Sequence, residues 1–269
     1  MMRPNRLKAR LRSGERTFCS WSLLGNAMAA EIMALAGVDA IVIDHEHGPA
    51  DLMSAITIMQ AASAAEATTI MRVPSHDSIY VKRALDAGIE GIMFPSVNTA
   101  DQARAVVAAC RYPPDGKRGA AYSYVRASNY GLNASDYVAH AADNILILAQ
   151  VESHVAVENL SEIVAVDGID GFYIGPLDMS GSIGKLGELQ DPEVAELLAG
   201  AEDAVLKSGK ALGGQCRRAR GCSSNAGTRV HPCRYRQRHR AHPRWFTREP
   251  RERALNLKKM QATGADSCA

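Results

Sequence analysis

Four short segments hold the polar residues best placed to do chemistry. They are Asp44-His-Glu-His47-Gly-Pro, Arg72 at the end of Ile70-Met-Arg, Gln150-Val-Glu152, and Gly175-Pro-Leu-Asp178, and each follows a short β-rich run. Side chains alternate across a strand, so Gln150 and Glu152 share one face, as do Ile70 and Arg72, while Val73 and Val151 face the other way. Glu152 and Asp178 close successive runs. If those strands are neighbours about 4.8 Å apart, both carboxylates can reach one ion, and two carboxylates with water and substrate oxygens suit a hard cation such as Mg²⁺ or Mn²⁺. The competing assignment pairs them with arginines or helix ends. An inward Arg72 needs an anionic partner, which a carboxylate-bearing ligand supplies. His47 is either an acid/base group, since imidazole changes charge near neutral pH, or a plain loop histidine. A Schiff-base mechanism needs a lysine facing the site, yet Lys82, Lys117, Lys185 and Lys207 fall in helices or loops and Lys210 precedes a strand, so a covalent imine is disfavoured.

Seven β-rich runs position these residues: Thr17 to Ser22, Ala40 to Asp44, Thr69 to Val73, Gly91 to Phe94, Leu146 to Glu152, Gly171 to Ile174 and Ala211 to Gly214. Ala-rich helical stretches lie between them, at Ala27 to Ala36, Asp51 to Ala64, Ile79 to Ala87, Thr99 to Cys110, Val157 to Val166 and Pro192 to Ser208. Pro192 suits a first helical turn, and Gly37 and Gly88 follow helices where a left-handed residue is wanted. Strict βα alternation predicts an α/β fold, a (β/α)₈ TIM-type barrel, whose active site lies at the C-terminal ends of the strands.

The eighth strand and last helix are compromised. The strand falls near 230–240, where the sequence is Val230-His-Pro-Cys-Arg-Tyr-Arg-Gln-Arg-His-Arg240. A buried central strand cannot carry so many charges, because each unpaired one costs several kcal/mol to desolvate. Composition changes at the same place. Of 31 Lys+Arg and 29 Asp+Glu, residues 1–215 hold 17 and 26 (net −9), leaving 14 and 3 (net +11) for 216–269. Residues 216–251 contain eleven arginines, three prolines, three histidines and three cysteines. That bias is what an out-of-frame reading of GC-rich DNA produces, and a native basic tail is the competing reading; either way 1–215 reads as the barrel and 216–269 as a separate basic segment. Cys216, Cys222 and Cys233 with His231, His239 and His242 match no familiar zinc spacing. Arginines alone attract nucleic acid electrostatically, but a nucleic-acid partner is not expected. No apolar run approaches the ~18 residues that span a bilayer. The first sixteen residues carry six basic side chains without an apolar stretch behind them, so a cytoplasmic protein with free thiols is expected.

Further motifs strengthen this pattern: Phe18-Cys-Ser-Trp21, Glu31-Ile-Met-Ala-Leu-Ala-Gly-Val-Asp39, Arg72-Val-Pro74, Leu85-Asp-Ala-Gly88 with Gly91-Ile-Met-Phe-Pro95, Arg111-Tyr-Pro-Pro114 with Arg118-Gly119, and Asp170-Gly-Phe-Tyr-Ile-Gly-Pro-Leu-Asp178. With Asp44-His-Glu-His47 and Gln150-Val-Glu152 they run in order through about four fifths of the chain. Together they make it resemble the HpcH/HpaI family, the metal-dependent class II pyruvate aldolases of the 4-hydroxy-2-oxoheptanedioate and 2-dehydro-3-deoxyglucarate aldolase type. The resemblance implies that Glu152 and Asp178 hold a divalent cation (Mg²⁺, Mn²⁺ or Co²⁺), that His47 is the catalytic histidine and Asp44 its acidic partner, and that Arg72 contacts the pyruvate oxygen. It also implies that Trp21 and Gln150 line the pocket, that the backbone around Gly175 and Leu177 receives the pyruvate carboxylate, and that Asp86, an acidic residue near a subunit boundary, is catalytic. A homohexamer, a trimer of dimers exchanging the last helix, is implied too.

The expected reaction is reversible cleavage of a 4-hydroxy-2-oxo acid to pyruvate, or a close 2-oxo acid, and an aldehyde. A divalent ion and Arg72 would stabilise the charge that develops on the carbonyl oxygen. The alternatives are a citrate lyase β-like enzyme acting on a coenzyme A thioester and a catalytically inactive oligomeric relic.

Overall fold

Among the described residues seven strands pair in chain order, each parallel to its neighbours. They are β1 (Cys19–Ser22), β2 (Ala40–Asp44), β3 (Thr68–Arg72), β4 (Gly91–Phe94), β5 (Leu146–Val151), β6 (Gly171–Ile174) and β7 (Ala211–Gly213). The structure is a computed structural model describing residues 4–215. The eighth strand expected near 230–240, the last helix and the cysteine and histidine residues beyond 215 lie outside the described residues.

The sheet curls on itself. Trp21 of β1 and Tyr173 of β6 meet edge-to-face with ring centroids 5.6 Å apart, although β2 to β5 lie between them in the strand order. Two hydrophobic layers follow from the alternation of side chains. Ala40, Val42, Ile70, Met93 and Leu146 fill the inside, with Trp21, Leu148 and Tyr173 packed against them. Ile41, Ile43, Met71, Ile92, Phe94, Ile147, Val151, Phe172 and Ile174 face the helices. Every residue of β2, β3 and β4 is buried, as expected of a parallel sheet covered on both faces. Full burial of a side chain such as Phe94 or Phe172 contributes about 1.5–3 kcal/mol.

The helices fall where the Ala-rich stretches place them, with local capping that explains their starts. After α1 (Arg6–Arg12) come α2 (Ala27–Leu35), α3 (Leu52–Ser63), α4 (Ser78–Asp86) and α5 (Ala100–Cys110). Asn26, Asp51, Asp77 and Thr99 cap α2 to α5 by accepting a backbone N–H. Gly37 and Gly88, just past α2 and α4, take φ of 89° and 94°. Next are α6 (Ala134–Asn144), α7 (His154–Glu158), α8 (Leu160–Val164), α9 (Pro176–Gly181) and α10 (Pro192–Lys207). The single helix expected over Val157 to Val166 is two short ones, because the chain breaks at Asn159, whose Nδ2 donates to Asn98 O at 2.9 Å.

Unforeseen in the sequence, α1 docks under the N-terminal ends of the strands. Its cap Asn5 donates from Nδ2 to Glu90 O (2.7 Å), and the buried Lys8 donates to Ile145 O (2.6 Å) and pairs with Asp170 (2.9 Å). Leu7 inserts into the inner layer. The opposite, C-terminal end of the strands carries the polar residues. Among the described residues no helix is long and apolar enough to cross a membrane.

Candidate active site

The β2–β3 register pairs Asp44 with Arg72, and their side chains meet where the strands end. Arg72 donates from Nε to Asp44 Oδ1 (2.9 Å) and from Nη2 to Oδ2 (2.6 Å), the two-pronged geometry that orients a guanidinium. Asp44 is fully buried and Arg72 nearly so. Oδ1 also accepts backbone N–H groups from Glu46 (3.1 Å) and His47 (3.3 Å), so one carboxylate fixes both the arginine and the turn that follows β2. Burial works to raise the Asp44 pKa, but the hydrogen bonds and charge of Arg72 outweigh it and hold the carboxyl below its ordinary value. Trp21 supplies a flat support, with Arg72 Cζ 4.6 Å from the ring centroid.

A second carboxylate reaches the arginine. Glu46, unassigned in the sequence, places Oε2 2.9 Å from Arg72 Nη1 and 3.8 Å from His47 Nε2. Its pKa is raised by burial, against the pull of Arg72 and with the charge of Glu152 adding to the rise. Glu46 lies past the end of β2, in the turn that Asp44 fixes, so strand alternation does not reach it. His47 itself is exposed, while His45 is buried on the other side. Its Nδ1 lies 2.6 Å from the Tyr80 hydroxyl of α4, and burial lowers its pKa.

Glu152 follows β5 and is buried. Its Oε1 accepts from Ser96 N (2.7 Å) and Ser96 Oγ (2.9 Å), and its Oε2 accepts from Gln150 Nε2 (2.7 Å). Burial raises its pKa, the Ser96 hydrogen bonds act the other way, and the charge of Asp178 raises it further. Asp178, in the first turn of α9, is exposed. Gly175, between β6 and α9, lets Glu152 lie against the backbone: a Cβ there would sit 2.6 Å from Glu152 Oε2 and 2.7 Å from Glu152 Cβ. The Gly175 N–H already donates to Val151 O (3.1 Å), so of the Gly175–Leu177 stretch only the later backbone is left to meet a ligand.

Two oxygen-donor carboxylates whose charges oppose each other fit a hard divalent cation. Among the described residues no group of three or more His, Cys, Asp and Glu side chains could hold a metal, so water and substrate oxygens would complete the shell. Asp86 stands apart. It ends α4, on the side where β4 begins rather than ends, and accepts from Nη2 of the buried Arg118 at 2.7 Å.

The family model described as HpcH/HpaI aldolase/citrate lyase matches residues 17–218. The hydroxypyruvate/pyruvate aldolase of Agrobacterium fabrum is 39% identical over 209 residues, covering 78% of each chain. The 5-keto-4-deoxy-D-glucarate aldolase of Klebsiella pneumoniae is 37% identical over 210 residues, covering 78% of this chain and 81% of its own. An HpcH/HpaI aldolase/citrate lyase family protein from Burkholderia cenocepacia has a similar structure, with a TM-score of 0.75 and 38% identity over 78% of this chain and 84% of that one.

Proposed function

The chain belongs to the HpcH/HpaI aldolase/citrate lyase family, and we propose that the C-terminal end of its sheet is the active site of a class II aldolase. It is a carbon–carbon lyase that reversibly cleaves a 4-hydroxy-2-oxo acid into pyruvate, or a close 2-oxo acid, and an aldehyde. The observation that carries this reading is Arg72, fixed by Asp44 and Glu46 at the same end of the sheet as the buried Glu152.

Glu152 and Asp178 would hold a divalent cation, whose chemistry is Lewis-acid stabilisation of negative charge on the substrate's carbonyl oxygen. Arg72 does the same from the protein side: its Nε and one Nη2 hydrogen are engaged by Asp44, which leaves outer N–H groups to donate to that oxygen as charge develops. Because two carboxylates and Trp21 already hold the guanidinium, little reorganisation is needed when the substrate binds. Asp44 sets the turn through the His47 N–H, and the exposed His47 imidazole would move a proton at the substrate's hydroxyl. Gln150 keeps Glu152 oriented, and the backbone around Leu177 receives the substrate carboxylate.

The remaining parts of the reading are a (β/α)₈ closure, a homohexamer working in the cytoplasm, and a division between a barrel at 1–215 and a basic segment at 216–269. Support for assembly comes from Met28, Ile32 and Leu35, an exposed apolar stripe along α2. The family match ends at 218, beside the change in composition. The test is pyruvate release from a 4-hydroxy-2-oxo acid, before and after EDTA and again with Mg²⁺ or Mn²⁺ restored. Activity should vanish and return. Turnover indifferent to EDTA, or confined to a coenzyme A thioester, overturns the reading.

A further inference from the structure

His45 lies between Asp44 and Glu46, the two carboxylates on Arg72, and its side chain leaves toward α4 on the helix-covered face of the sheet. Its backbone N–H donates to Arg72 O at 2.9 Å, which carries the β2–β3 pairing one residue past the strand. The ring is buried, with 7% exposure, and meets the Tyr80 ring edge-to-face, centroids 6.1 Å apart. Nδ1 and the Tyr80 hydroxyl share a hydrogen bond of 2.6 Å, whereas Nε2 is buried and has no partner among the described residues. An unmet buried nitrogen is costly, and an apolar side chain would fill the same space without that cost. What the histidine adds is the bond to Tyr80, whose own ring packs against the outer core. The turn after β2 is thus tied from two sides. On the inner side Asp44 accepts from the Glu46 and His47 N–H groups, and on the outer side His45 ties the same turn to α4. Held on both faces, the turn keeps Glu46 Oε2 2.9 Å from Arg72 Nη1. Held on one face alone, it can swing, and a misplacement of about 1 Å at a reacting group costs about 100-fold in rate.

We infer that His45, anchored by Tyr80, is a positioning residue for the reaction: it acts through the Asp44–His47 turn to hold Glu46 and Arg72 where charge develops on the substrate's carbonyl oxygen. Neither His45 nor Tyr80 touches the substrate in this role. The effect falls on kcat, because the Arg72 contact strengthens only as that charge develops, while the groups that receive the substrate carboxylate are unaffected. This inference rests on the aldolase reading.

The test is exchange of the pyruvate methyl protons with deuterated water, followed over a range of pyruvate concentrations with the full-length chain and Mg²⁺. The proteins are wild type, Tyr80→Phe, His45→Ala, the double variant of these two, and His45→Asn, whose amide can still bond Tyr80. Tyr80→Phe should lower kcat about ten-fold and His45→Ala about 100-fold, each with KM within about two-fold of wild type. The double variant should be no slower than His45→Ala, since Tyr80 acts through His45. His45→Asn should regain about ten-fold of the loss seen in His45→Ala. A kcat within about two-fold of wild type in either single variant, a loss confined to KM, or losses that multiply in the double variant overturns the inference. Should His45→Ala fail to fold, as judged by its melting curve, Tyr80→Phe decides, and an unchanged kcat there overturns the assignment. Exchange by wild type that the variants leave unaltered removes only this inference, whereas no exchange by wild type removes the aldolase reading with it.

Discussion

The Asp44–Arg72 pair makes the site's architecture quantitatively testable. Asp44→Asn preserves shape but removes the charge opposite a guanidinium whose side chain is only 11% exposed. Breaking one partner of a buried pair costs about 3–5 kcal/mol. The Glu46 carboxylate 2.9 Å away still compensates part of the Arg72 charge, which places the expected loss at the low end, about 3 kcal/mol. At about 2–4 °C per kcal/mol for a chain of this size, Tm should fall by about 6–12 °C. The same substitution loosens Arg72 and the His47 turn, so kcat/KM for cleavage should drop by about 10²–10³. The pH dependence fixes the sign. The Asp44 pKa is lowered in the fold, so its stabilisation is present above the unfolded value near 3.9 and is lost as pH falls through the lower folded value. The gap in Tm between wild type and variant should therefore be full at pH 6 and narrow below about pH 4. Differential scanning calorimetry across that range, with pyruvate release on the same samples, decides. A Tm within about 1 °C of wild type at pH 6, or kcat/KM within two-fold of it, refutes the claim that Asp44 holds the arginine.

Gly175→Ala places a methyl group against the buried Glu152, so pyruvate release should fall more than about 100-fold, and overpacking of about 1–3 kcal/mol should lower the melting temperature as well; unchanged activity would show that the close approach is not needed. Asp86→Ala leaves the fully buried Arg118 without its carboxylate and should lower Tm by about 6 °C or more; an unchanged melting curve would show that the pair is not structural. His45 has a lowered folded pKa, so its contribution is full above about pH 6.5 and declines as pH falls below it. Wild type should accordingly lose stability between pH 7 and 5.5, and His45→Gln should lose less over the same interval, as read from Tm at each pH.

Much of this architecture was legible because two periodicities dominate the chain. The β2 segment Ala40–Asp44 is apolar at every position but the last, and a strand buried on both faces reads as a continuous run, so its polar terminus stands out. The same contrast marks Arg72 and Glu152. What stayed hidden depends on contacts distant in sequence. The basic residues of α1 mask a helix whose Lys8 is buried against Asp170, because a lysine's burial cannot be read from its own neighbours. The α6 helix starts at Asn133 without a side-chain cap, and α9 is a single short stretch after Gly-Pro that reads as a turn. Asp86 shares a motif with a glycine-bounded helix end, which says nothing of the Arg118 that meets it from thirty-two residues away. Glu46 sits in a turn beyond β2, and its importance depends on Arg72, which only the folded sheet brings beside it.

The central claim is that this end of the sheet stabilises negative charge on a 2-oxo acid. Exchange of the pyruvate methyl protons with deuterated water, followed by NMR without any aldehyde, reports that step alone. With Mg²⁺ the wild-type chain should catalyse exchange, EDTA should abolish it, and Arg72→Ala should slow it by about 100-fold or more. Exchange that is absent from wild type, or that persists at the same rate in Arg72→Ala and in EDTA, contradicts the account.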